Sequence, residues 1–189
     1  MIEGEGPGAV TLGAEDRSRA IAAVKQALEL SLDDHDTLLA ALAETALGLA
    51  EQFCGVMLIA RDVTVILRVA CGWQRLPVAP VRAITAVAGI AEDGTRTPLP
   101  PLGYEIEIDG RDEGWVRLHD AGGRAKVAVS VHAGLAAGWD AMPAPIRQGA
   151  VMLAAYLFAE RDATRPPPQA ITALWRPYRG MTIGRGVPA

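Results

Sequence analysis

Cysteine, serine, histidine and lysine are all scarce in this chain of 189 residues, and each scarcity removes a class of chemistry. Cys54 and Cys71 are the only cysteines, and their spacing matches no zinc or redox pattern. Both are expected as buried free thiols, which fits a cytosolic site of synthesis. Ser18, Ser31 and Ser130 are the only serines, and none lies in a Gly-x-Ser-x-Gly elbow. His35, His119 and His132 fall in three different segments, so no metal site is expected. Lys25 and Lys126 are the only lysines, and no glycine-rich phosphate loop with its lysine occurs, nor a Rossmann fingerprint. No catalytic residue, cofactor or metal is therefore predicted. No apolar run reaches the length of a membrane span. The acidic, glycine-rich start, Met1 to Gly8, is the opposite of the basic opening of a secretory signal.

Half of the residues are hydrophobic but only 5% are aromatic, so alanine, valine and leucine must build the core. At this length about 70% of the unfolded chain's surface can be buried, enough for a core without staples. Charge is unevenly spread. Residues 1–60 carry ten acids against Arg17, Arg19 and Lys25, whereas residues 163–189 carry Arg165, Arg176, Arg179 and Arg185 with no acid. An acidic front and a basic tail are expected to attract each other between copies.

Residues 1–13 read as a flexible leader. Residues 14–30 read as a helix with Glu15 and Asp16 in its first turn, where the helix dipole favours anions. A polar break follows, in which Asp33, Asp34 or Asp36 is expected to cap a second helix over 36–54. Leu38, Leu42, Leu49 and Phe53 mark one side of it, beside Leu39, Ala43, Ala46 and Ala50. Gly55 is placed to stop it. The same aspartates lack the glycine and terminal glutamate of a calcium loop. From Val63 the period changes to two. Residues 81–90 and 95–99 are expected to pair across an Asp93-Gly94 turn, Tyr104 to Asp109 alternates as a half-exposed strand, and Lys126 to His132 reads as the last strand. Glu105, Glu107, Asp109, Asp112 and Glu113 read as a solvated side and a hairpin tip, although a hydrolase using Asp109, Asp112 or His119 is a further alternative.

A long helix over 145–162 is apolar on nearly every side, so it must be covered by its own core, a partner chain or both. Pro166-Pro167-Pro168 forms a stiff elbow before a short helix over 168–176. Residues 177–189 then read either as a frayed end or as a docking tail, because Trp175, Arg176, Tyr178 and Arg179 are of the types enriched at interface hot spots. The fold class is thus α+β. Two N-terminal and two C-terminal helices form a bundle, with an antiparallel β region over 63–133 inserted between them.

An ordered series of motifs carries a family resemblance. It comprises Arg75-Leu76-Pro77, Pro80-Val81, Asp93-Gly94, Tyr104, Asp109, and Val129-Ser130-Val131-His132-Ala133-Gly134. These are followed by Leu153-Ala154-Ala155-Tyr156-Leu157, Glu160-Arg161, Pro168, Ala173-Leu174-Trp175 and Pro177-Tyr178-Arg179. Together, over roughly residues 14–183, they resemble phage head–tail connector (adaptor) proteins, including those of gene transfer agents. The chain departs from that pattern at Leu135-Ala136-Ala137, where the family carries bulkier residues. The resemblance implies a structural ring subunit, about twelve copies under the portal of a phage-like particle made in a bacterial cytoplasm. Such a ring extends the DNA channel without reading sequence and meets a stopper or tail-terminator protein on its far side. Neither N-terminal helix is basic enough to grip phosphates. The residues expected to touch the portal are Arg165, Trp175, Arg176, Tyr178 and Arg179. The alternative from another class is a small regulatory or scaffold protein that binds its partner through the same basic aromatic tail.

Overall fold

The computed structural model describes residues 1–160 and 167–179. The chain is α+β and divides into two compact units. The helical unit spans Pro7–Ile59 and Ala136–Gly180; the β unit comprises Met1–Gly6 and Ala60–Leu135. Among the described residues no helix is long and apolar enough to cross a membrane.

The helical unit contains α1 (Ala14–Leu28), α2 (Asp36–Cys54), α3 (Ala144–Ala159) and α4 (Gln169–Trp175). Its core is made mostly of small and branched side chains. Ala20 and Val24 come from α1, Leu39, Ala43, Leu47 and Ala50 from α2, and Ile146, Ala150, Leu153 and Ala154 from α3. Alanine at these helix contacts lets the backbones approach closely, so few aromatics are needed. Gly55 ends α2 in the left-handed conformation, φ 70°, with its N–H on the Glu51 carbonyl. The aspartates expected to cap α2 do not do so. His35 holds the cap position without a side-chain bond, while Asp33 and Asp36 both form ion pairs with Lys25 Nζ, at 2.6 and 2.5 Å. A nearby ammonium outcompeted the backbone for these carboxylates.

The side of α2 that is buried is the alanine side. Leu38 and Leu49 stay 46% and 43% exposed, and Leu42 is half-buried. Both sides of this helix are apolar, so periodicity alone does not choose between them.

Residues 1–13, expected to be a flexible leader, are held in place. In the β unit, β1 (Ile2–Glu3) pairs antiparallel with β2 (Arg61–Arg68), and Arg61 donates to the carbonyls of Glu5 and Gly6. In the helical unit, two glutamates of α2 fix the segment that follows. Glu44 Oε1 accepts the Leu12 N–H at 3.0 Å and also takes Arg17. Glu51 is fully buried; its Oε2 accepts the Gly8 N–H and its Oε1 the Leu58 N–H, both at 2.8 Å. Gly48 makes room for this crossing, since a Cβ there would meet the Gly8 carbonyl oxygen at 2.5 Å. Much of the acidic front thus acts inside the helical unit. Asp16 Oδ1 likewise accepts the Trp139 N–H at 3.0 Å, leaving less free charge for attraction between copies than composition alone suggests.

The β unit adds β3 (Trp73–Arg75), β4 (Val81–Ile90), β5 (Arg96–Pro98), β6 (Tyr104–Ile108), β7 (Gly114–Leu118) and β8 (Lys126–Ala133). They form a five-stranded sheet in the order β1-β2-β8-β4-β5 and a three-stranded sheet in the order β3-β7-β6. All strand pairs are antiparallel. Val63 and Val65 face inward beside Val127, Val129 and Val131, as strict alternation requires. The hairpin at Asp93-Gly94 pairs Ile90 with Arg96.

Candidate functional site

Trp175 closes the helical unit. It is 3% exposed, and its indole Nε1–H donates to the Ile146 carbonyl at 3.2 Å. The ring lies on Gly149 of α3, where a Cβ would come within 2.3 Å of Nε1, so any larger residue there evicts the indole. Phe53 of α2 stands beside it with ring centroids 6.0 Å apart, and the Cys54 thiol points at the Trp175 carbonyl. Burial, with the nearby Glu51 charge, pushes the Cys54 thiol up to about 11 and keeps it protonated. Cys71, expected to be buried as well, is exposed.

Immediately after this anchor the chain turns through a short 3₁₀ segment, Arg176–Tyr178. Arg176, Pro177 and Arg179 are exposed, and Tyr178 is half-buried against the helical core. The Arg179 guanidinium sits over the Phe53 ring, 5.8 Å from its centroid, a cation–π contact. Four of the five residues expected at the docking surface are therefore brought together, but in two roles. Trp175, expected as a contact residue, is buried in its own core. It positions Arg176, Tyr178 and Arg179, which present two cations and a phenol. The reason is size: the indole offers more apolar area than any other side chain of α4, and the gap over Gly149 accepts it. Arg165 lies outside the described residues, as do residues 180–189 of the expected tail.

The acidic hairpin tip has a different use from the one a hydrolase requires. Asp109 Oδ1 accepts the N–H groups of Arg111 and Glu113 at 2.8 and 3.0 Å, and Oδ2 accepts the Trp115 indole N–H at 3.3 Å. Partial burial pushes the Asp109 carboxyl up, but these donors outweigh it and hold the group below the usual carboxylate range. It is thus a turn-forming acceptor, ionised at neutral pH, and a poor proton donor. Glu105 is held between Arg117 and His119, with His119 Nε2 at 3.1 Å. Among the described residues no group of three or more His, Cys, Asp or Glu side chains is placed to hold a metal ion.

Sequence reasoning missed the buried Glu51. A lone carboxylate within the apolar run Leu47-Gly48-Leu49-Ala50-Glu51-Gln52-Phe53 was the signal that could have found it.

No family model and no curated relative matches the chain. Solved structures do. A chain from the neck of an empty GTA particle, computed with C6 symmetry, aligns at TM-score 0.74 and 23% identity over all of both chains. A chain from the neck of a native GTA particle, computed with C12 symmetry, aligns at TM-score 0.71 and 24% identity, again over all of both. A chain from the virion of a native gene transfer agent particle aligns at 0.71 and 23%, with the same coverage. At these identities the likeness establishes the fold.

Proposed function

We propose that this chain is a structural head–tail connector subunit of a phage-like or gene transfer agent particle. In this reading twelve copies form a ring beneath the portal, extend the DNA channel, and meet a stopper or tail-terminator protein on the far side. The observation that carries it is the full-length likeness to chains of neck assemblies treated with C6 and C12 symmetry. Arg176, Tyr178 and Arg179 are the portal contacts, Arg165 is a further proposed contact, and Trp175 is the internal anchor of the first three. The helical unit supports the oligomeric part. Leu38 and Leu49 stand exposed on α2 with Leu42 between them, an apolar line along one helix that a neighbouring copy would cover.

The test separates folding from assembly. Leu38→Glu combined with Leu49→Glu changes only surface positions, so thermal unfolding is expected to stay within a few degrees of the parent. Mixed with purified portal, the parent is expected to sediment as a ring on the portal, whereas the double variant is expected to leave the portal bare. Rings of normal size from the double variant would remove α2 from the interface. A parent that never joins the portal would remove the connector reading itself.

A further inference from the structure

β6 is the outer strand of the three-stranded sheet, and its register shows which of its backbone groups are used. The Asp109 N–H bonds the Glu113 carbonyl, and the His119 N–H bonds the Gly103 carbonyl. In an antiparallel ladder, hydrogen-bonded pairs alternate with non-bonded ones. With Tyr104 opposite Leu118, Ile106 opposite Val116 and Ile108 opposite Gly114, the bonded pairs are therefore those of Glu105 and Glu107. The N–H and C=O groups of Tyr104, Ile106 and Ile108 point outward. Among the described residues no backbone bond reaches them from that side.

The side chains along this edge are equally open. Ile106 and Ile108 are 44% and 40% exposed, Leu102 just before them is 92% exposed, and Glu105 and Glu107 are exposed on the opposite side. The other sheet edges of the β unit are blunted. β1 has two residues, β3 has three, and β5 has three including Pro98. β6 has five, with no lysine, proline or bulge to deter pairing.

We infer that β6 is a docking strand, and that its occupant is an extended segment of a non-identical protein in which apolar residues alternate with Lys or Arg. Charge selects this occupant over a second copy of β6. Antiparallel self-pairing about Ile106 places Glu105 opposite Glu107 twice, and like charges directly opposite destabilise a strand pair. Elsewhere in the described residues the basic edge positions are taken, since Arg75 pairs with Glu113 and Arg96 with Glu3. Glu105 is engaged by Arg117 and His119, so Glu107 is the carboxylate left to meet the incoming cation. Exposed apolar side chains on one side, free main-chain groups along the edge and a carboxylate on the other side are elements that strand addition uses. This inference does not rest on the ring reading, which concerns α2 and α4.

The probe is a capped heptapeptide alternating valine and lysine, compared by fluorescence anisotropy with its valine–glutamate counterpart on the full-length protein. The valine–lysine peptide is expected to bind at least about tenfold more tightly, and its binding to slow amide exchange at Ile106 and Ile108. Ile106→Pro removes an outward N–H and leaves the ladder to β7 intact; it is expected to weaken binding about tenfold or more. Glu107→Lys, an exposed change, is expected to reverse the preference toward the valine–glutamate peptide. Equal binding of the two peptides, or no loss in Ile106→Pro with unchanged circular dichroism, would overturn the inference. So would self-association of the parent that Ile106→Pro abolishes, because the occupant would then be a second copy. None of these outcomes bears on whether the protein joins a portal, which the α2 variants report.

Discussion

Trp175→Ala is expected to lower stability by about 3–5 kcal/mol, the range for emptying a buried aromatic site. The indole is 3% exposed, spans α2, α3 and α4, and holds a hydrogen bond to the Ile146 carbonyl that alanine cannot replace. Urea unfolding followed by circular dichroism measures the loss. The informative contrast is with a chain truncated after Arg176. That truncation removes Tyr178 and Arg179 but leaves the anchor, so it is expected to keep near-parental stability while failing to join portal. Trp175→Ala is expected to lose both. Gly149→Val should reproduce the Trp175→Ala behaviour from the opposite side, since its side chain occupies the seat of the indole. If truncation costs as much stability as Trp175→Ala, then the last residues belong to the core and the docking role assigned to them falls.

The second large effect is expected at Glu51. Replacing it with alanine leaves the N–H groups of Gly8 and Leu58 without their acceptor, and each such loss in a buried place costs about 1–3 kcal/mol. The two losses together come to about 2–6 kcal/mol, and the vacated volume adds to them. Glu51→Gln keeps the shape and one acceptor oxygen and should fall between alanine and parent. The segment around Gly8 is the reporter. Its amides are expected to exchange quickly in Glu51→Ala, while those of β8 stay slow. Uniform loss of protection across both units would show that Glu51 supports the whole molecule and not this one crossing.

The elements that could be read from the sequence were those whose periodicity is forced by burial. Val127, Val129 and Val131 alternate because one side of β8 faces the core, and Ile146, Ala150, Leu153 and Ala154 recur because one side of α3 does. The α+β order follows from those two periods. Three features were hidden for three physical reasons. β1 has two residues, too few to show any period, and its glycine-rich surroundings look like a leader until the strand beside it is seen. On α2, Leu38 and Leu49 lie on the open side, while Leu39 and Leu47 share the buried side with Ala43, Ala46 and Ala50, so leucine alone does not mark the core. Trp175 carries the chemistry of a contact residue and the environment of a core residue, and only Gly149, 26 positions earlier in the chain, decides between them. The capping aspartates failed for a similar reason: Lys25, outside the local motif, took them.

The proposed connector role requires that the surface around Arg176, Tyr178 and Arg179 be held by another protein. Electron microscopy of phage-like particles made by cells that express this chain tests that most directly. The predicted result is a ring of twelve copies at the neck, with this surface of each copy against the portal and α2 against a neighbouring copy. A neck in which these residues face solvent, or a particle from which the chain is absent, would contradict it.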